Sequence, residues 1–173
     1  ASSSGNLTVN HNDPAGITAL QLYNGIGLSA LGTITYTGSA DVTADGYAIT
    51  ARIGNGLTSI TQTAGTIRGG TGIQAVGSGP NASVNINSIG SRIVAGQAIF
   101  VVTDGSQSDV TIATGAVTGI TTQAGGAIYV RMGQSLNTAR NLSVTTNGAI
   151  VGGIYLQNGG VGTVDLTTNA SVS

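Results

Sequence analysis

A short pattern of alternating apolar and polar residues recurs along the whole chain, and nothing else in the sequence constrains the fold as strongly. Its copies are Leu7-Thr8-Val9, Ile34-Thr35-Tyr36, Ile60-Thr61-Gln62, Val84-Asn85-Ile86, Val110-Thr111-Ile112, Leu142-Ser143-Val144 and Val164-Asp165-Leu166, spaced by 27, 26, 24, 26, 32 and 22 residues. A second pattern follows 11 to 17 residues after each of the first six: Ala19-Leu20-Gln21-Leu22, Ala48-Ile49-Thr50-Ala51, Gly72-Ile73-Gln74-Ala75, Ala98-Ile99-Phe100-Val101, Ala127-Ile128-Tyr129-Val130 and Gly153-Ile154-Tyr155-Leu156. Between the two lies a third short apolar segment, around Val42, Ile67, Ile93, Val117 and Ile150. Strands this short cannot give each repeat a core of its own. They suit one coil of a parallel β-helix, in which a strand pairs with its equivalent one repeat later and the rest of the coil is the crossover that parallel pairing requires. Such crossovers are right-handed. The expected fold is therefore all-β, a right-handed parallel β-helix (β-solenoid) of about seven coils of 22–32 residues. It forms one solenoid domain over residues 1–173, expected to be a fragment of a longer protein. At ~4.8 Å per coil the rod is about 30 Å long.

Composition agrees and removes other classes. Of 173 residues 29 are Gly, 40% are hydrophobic, 3% aromatic and 6% charged, with a net charge of −1. All cations are Arg and all anions Asp; Lys, Glu, Cys and Trp are absent. A helical bundle lacks its helix formers, five scattered Arg make no phosphate-neutralising patch for nucleic acid, and without Cys there is neither a disulfide framework nor a zinc-thiolate site. The longest apolar run, Ala98 to Val102, is far too short for a membrane helix. The strands are about half the length that a membrane barrel needs. Ala1 to Gly5 have no basic or apolar region of a signal peptide, so a secreted protein with this sequence is expected to be a processed segment.

Alternation assigns faces. Leu7, Ile34, Ile60, Val84, Val110, Leu142 and Val164 form one expected inward column; Leu20, Ile49, Ile73, Ile99, Ile128 and Ile154 form another. Aliphatic columns imply an interior too narrow for large rings, with Tyr36 and Gln62 interrupting the neighbouring column. Asn12, Ser39, Gly65, Ile89, Gly115, Asn147 and Asn169 fall where the chain must turn, and six of the seven tolerate a tight backbone. The pairs Gly69-Gly70, Gly125-Gly126, Gly152-Gly153 and Gly159-Gly160 read as coil corners, since none leads from a strand into a helix as a phosphate loop must.

With its coil length, its richness in Gly, Asn, Ser and Thr, its lack of Cys and the pattern best seen in Gln123 to Met132 and Thr145 to Leu156, the chain resembles the passenger domains of Gram-negative (type V secreted) autotransporters, with the pectin-lyase-like right-handed β-helix. The resemblance implies a non-enzymatic adhesin of the bacterial cell surface with a role in virulence. It implies partners among host-surface proteins or glycans or further copies of the chain, secretion through the outer membrane, and membrane attachment only through a C-terminal barrel outside this segment.

Side chains with catalytic potential are few. His11, in Asn-His-Asn-Asp-Pro, has no Ser–Asp pair that the pattern places around it and reads as a solvated turn residue. Asp41 and Asp45, and Asp104 and Asp109, read as turn caps, because a calcium site needs six to eight oxygens. Six dispersed Asp make a poor glycosidase pair, and Arg52 and Arg131 share a column but stand three coils apart. No catalytic residue, metal site or cofactor is expected.

One outward column stands apart. It runs Gln21, Thr50, Gln74, Phe100, Tyr129, Tyr155, with Val102, Arg131 and Gln157 two residues further along the last three strands. Phe100, Val102, Tyr129, Arg131, Tyr155 and Gln157 are the candidate interaction patch, since exposed aromatic clusters often mark partner surfaces. The longest repeat implies extra loop at 118–123 and 132–140, beside that column. The opposite pattern is threonine-rich: Thr8/Asn10, Thr35/Thr37, Thr61/Thr63, Asn85/Asn87, Thr111/Ala113, Ser143/Thr145 and Asp165/Thr167. It resembles an ice-binding face, although Thr also simply suits an exposed strand. Besides the adhesive module the alternatives are a polysaccharide-active lyase or hydrolase on the same fold and an ice-binding solenoid.

Overall fold

A computed structural model describes residues 1–19, 24–119, 126–133 and 140–173. Among these there is no helix, and the strands form two sheets, parallel throughout. The first is a single ladder of seven: Leu7–His11, Ile34–Gly38, Leu57–Gln62, Ser83–Ser88, Val110–Thr114, Leu142–Thr146 and Val164–Thr168. The second is two ladders that merge. A short one runs through Ile17–Ala19 and Val42–Ala44, and a longer one through Ser2–Ser3, Ile26–Ala30 and Tyr47–Ile53. Both join the twelve-residue strands Thr66–Gly77 and Arg92–Thr103, then separate again into Val117–Gly119 with Ile150–Val151 and Ile128–Met132 with Ile154–Asn158. The chain is a right-handed parallel β-solenoid, as the repeat predicts.

The core is a stack of aliphatic columns. Ile26, Ile49, Ile73, Ile99, Ile128 and Ile154 form one, and Ile17, Val42, Ile67, Ile93, Val117 and Ile150 another. Most of these side chains are wholly buried, each worth about 1.5–3 kcal/mol of transfer from water.

Several expectations are corrected. The partner of Ile34 in the first sheet is Thr58, not Ile60; Ile60 stands in the next column, between Tyr36 and Ile86. A slip of two keeps every side chain on its face, so alternation alone does not detect it, and a buried Thr hides the true register. Likewise Ile26 holds the place assigned to Leu20, and Gly27 that of Gln21; both Leu20 and Gln21 lie outside the described residues. The Thr61/Thr63 pair becomes Ser59/Thr61. Gly69 and Gly70 lie within the strand Thr66–Gly77, but at the gap in its pairing with the preceding coil, between Arg68, which pairs with Thr43, and Thr71, which pairs with Tyr47, so they mark the corner there.

The interior also admits a large ring. Tyr36 is fully buried, and room for it comes from Gly38, where a Cβ would collide with the Tyr36 hydroxyl and with Gln62 Oε1. The phenol donates to Gln62 Oε1 at 3.0 Å, and Gln62 Nε2 donates to the carbonyls of Ala40 (2.7 Å) and Ala64 (2.8 Å). Burial pushes the Tyr36 phenol up to about 12. His11 is therefore no solvated turn residue. It ends the strand Leu7–His11 pointing inward, 9% exposed, with Nδ1 3.5 Å from the Tyr36 hydroxyl and Nε2 unpartnered.

Candidate functional site: an outward aromatic ladder

The second sheet aligns the patch residues as expected. Phe100 pairs with Tyr129 and Tyr129 with Tyr155; on the same face Val102 pairs with Arg131 and Arg131 with Gln157. Pairing one coil apart brings the rings to the inter-strand spacing. Phe100 and Tyr129 stack at 5.2 Å between centroids and 8° between planes, Tyr129 and Tyr155 at 4.9 Å and 9°. The stack covers both faces of Tyr129. It leaves the ring edges and the outer face of Tyr155, the most exposed of the three at 41%, toward solvent. Tyr155 donates its hydroxyl hydrogen to Gln157 Oε1 at 3.1 Å, which couples the aromatic row to the polar row beside it. In the two coils before Phe100 the same column is buried, and Thr50 Oγ1 donates to Gln74 Oε1 at 2.9 Å.

Beyond the polar row lies a groove of about 310 Å³ lined by Asp104, Arg131, Met132, Gly133 and Gln157. Met132 points inward and is 1% exposed. Among the described residues the polar lining therefore comes from the Asp104 carboxylate, the Arg131 guanidinium and the Gln157 amide. Arg131 Nη2 stands 3.9 Å from Asp104 Oδ1, with both side chains about half exposed. Such a pair contributes at most about 1 kcal/mol.

The groove is braced from within by Arg140, placed by sequence at the end of an exposed loop but wholly buried. Its Nη1 donates to the carbonyl of Gly105 at 2.6 Å and its Nη2 to that of Gly133. These carbonyls adjoin Asp104 on one coil and Arg131–Met132 on the next, so one side chain ties both walls. Burial lowers the Arg140 guanidinium from its ordinary value. Of the expected loop 118–123, Thr118 and Gly119 belong to the strand Val117–Gly119 and the rest lies outside the described residues. Of 132–140, Met132 ends a strand, Gly133 lines the groove, Arg140 is buried, and 134–139 lie outside the described residues.

The remaining polar residues serve the coils. Asp41 Oδ1 accepts from the Thr66 N–H and Asp109 Oδ1 from the Asn141 N–H, both at 2.7 Å. These are caps, as expected, but they bind the backbone of the following coil. Asn6 caps Thr33, and Asn141 caps Thr163, in the same way. Asn169 Nδ2 donates to Asn147 Oδ1 at 2.8 Å, a side-chain rung at a turn that the sequence located. On the opposite sheet the outward face is small and polar, with columns Thr8, Thr35, Ser59, Asn85, Thr111, Ser143, Asp165 and Asn10, Thr37, Thr61, Asn87, Ala113, Thr145, Thr167.

The fold and this geometry define the class: a parallel β-solenoid with one differentiated side. No family model, curated protein or solved structure matches the chain.

Proposed function

We propose that the chain is a non-enzymatic structural and adhesive module: a surface-displayed rod, of the kind found in autotransporter passengers with a pectin-lyase-like β-helix, whose second sheet contacts host-surface proteins or glycans or another copy of the chain. The observation that carries this reading is the ladder Phe100–Tyr129–Tyr155 in register with Val102–Arg131–Gln157. It concentrates three of the chain's six aromatic side chains on one outward face. Stacked coils supply stiffness as a sum of neighbour contacts, and near-neutral charge leaves little long-range repulsion against a partner or a second copy.

The test is adhesion or self-association of Tyr129→Ala/Tyr155→Ala and, separately, of Arg131→Ala/Gln157→Ala, which leaves the ladder standing. Circular dichroism reports whether each rod stays folded. Folded variants that bind or associate as the parent does sink the assignment.

A further inference from the structure

We propose that the groove beside the ladder takes a neutral sugar residue through two adjacent hydroxyls. This deepens the adhesive reading and rests on it. Three properties of the groove select that ligand class.

The first is charge. Among the described residues the groove's charged groups are Asp104 and Arg131, whose charges cancel. An anionic ligand gained by Arg131 is opposed by Asp104, and a cationic one meets the reverse. A vicinal diol meets neither penalty, because one hydroxyl donates to the Asp104 carboxylate while its neighbour accepts from the Arg131 guanidinium. The pair itself is weak and half exposed, so a ligand separates it at little cost.

The second is that the described residues offer no anchor pocket there. A protein partner is held chiefly by apolar or aromatic anchors in desolvated pockets. Here Met132 is turned into the core and the ring faces of Tyr129 are covered by its neighbours. What remains is carboxylate, guanidinium and the Gln157 amide, whose Nε2 hydrogens are left to donate while Oε1 accepts from Tyr155. A polyol matches that set.

The third is bracing. Arg140 holds Gly105 and Gly133, so the two walls are fixed before a ligand arrives, which reduces the ordering cost of binding.

The experiment is a titration followed by backbone-amide NMR with cellohexaose, maltohexaose and mannohexaose, against hexagalacturonate as the acidic counterpart. At least one neutral hexamer is expected to shift amides at 104, 131–133 and 155–157. Asp104→Asn and Arg131→Gln are each expected to weaken it roughly tenfold, the loss of one hydrogen bond to a charged group. Hexagalacturonate is expected to bind no tighter. Failure of all three neutral hexamers, tighter binding of the galacturonate, or unchanged affinity in both variants overturns the proposal. If Tyr129→Ala/Tyr155→Ala abolishes adhesion and the neutral hexamers neither bind nor compete, the sugar assignment falls and the contact face stands.

Discussion

The two sheets share one core yet hold their coils together by opposite means. On the seven-stranded sheet the side-chain to side-chain bonds between strands lie inside, where His11, Tyr36 and Gln62 form a buried polar line across three coils, while exposed rungs such as Asn169–Asn147 join only the turns. Its outer face is a field of Thr, Ser and Asn. On the second sheet the inward columns are aliphatic and the specific contacts lie on the outward face, open to solvent in the ring stack and covered at Thr50–Gln74. A solenoid needs only matched columns to stack, and either side of the wall can supply them. Where the outer face is relieved of that task it stays small and uniform; where it carries the task it becomes distinctive enough to serve as a contact surface.

The inner polar line sets the largest expected effect. Because the folded Tyr36 phenol is pushed up to about 12, above its ordinary value of about 10 in an unfolded chain, its neutral form is favoured by folding. Its contribution is therefore fully present below pH 10 and is lost as pH rises through 12, in total about 3 kcal/mol. Denaturant midpoints from pH 8 to 12 are expected to fall for the parent and to lose this component in Tyr36→Phe. That variant also starts lower by about 1–2 kcal/mol, since Gln62 Oε1 loses its donor. An equal alkaline decline in the two proteins removes Tyr36 from the account.

The contrast was partly legible in the sequence. Aliphatic residues on both sides of each outward position pin the strands Arg92–Thr103, Ile128–Met132 and Ile154–Asn158 to one register, so the Phe100–Tyr129–Tyr155 column was readable. The seven-stranded sheet is harder, because Thr58 faces inward and Gln62 stands beside Gly38, two residues beyond the Tyr36 column that alternation assigns it. The polar run around His11 reads as a solvated turn, and only the neighbouring coil shows that Gly38 makes space for a ring and its hydroxyl. Asp104 and Arg140 join the groove through loops of different coils, a proximity that no spacing encodes.

The outer ladder gives the middle effect. Tyr129→Ala removes two ring contacts and Tyr155→Ala removes one. At about 0.5–1.5 kcal/mol per pair beyond area burial, the first is expected to cost about 2 kcal/mol and the second about half as much, read from urea unfolding. Equal losses for the two rings mean that stacking does not couple the coils, and the ladder is then only a surface.

The smallest effect sharpens the comparison from the other side. Thr111 is exposed in the centre of the polar field, between Asn85 and Ser143. If that face carries no specific contact between coils, Thr111→Ala changes stability by no more than about 0.5 kcal/mol, as surface substitutions away from special features do. Its modest cost is the lost preference of a β-branched side chain for a strand, so Thr111→Val is expected to recover it. A loss in Thr111→Ala as large as that in Tyr155→Ala, unrescued by Val, shows instead that hydroxyl contacts join the rungs. The two sheets then differ in chemistry but not in how they hold the coils.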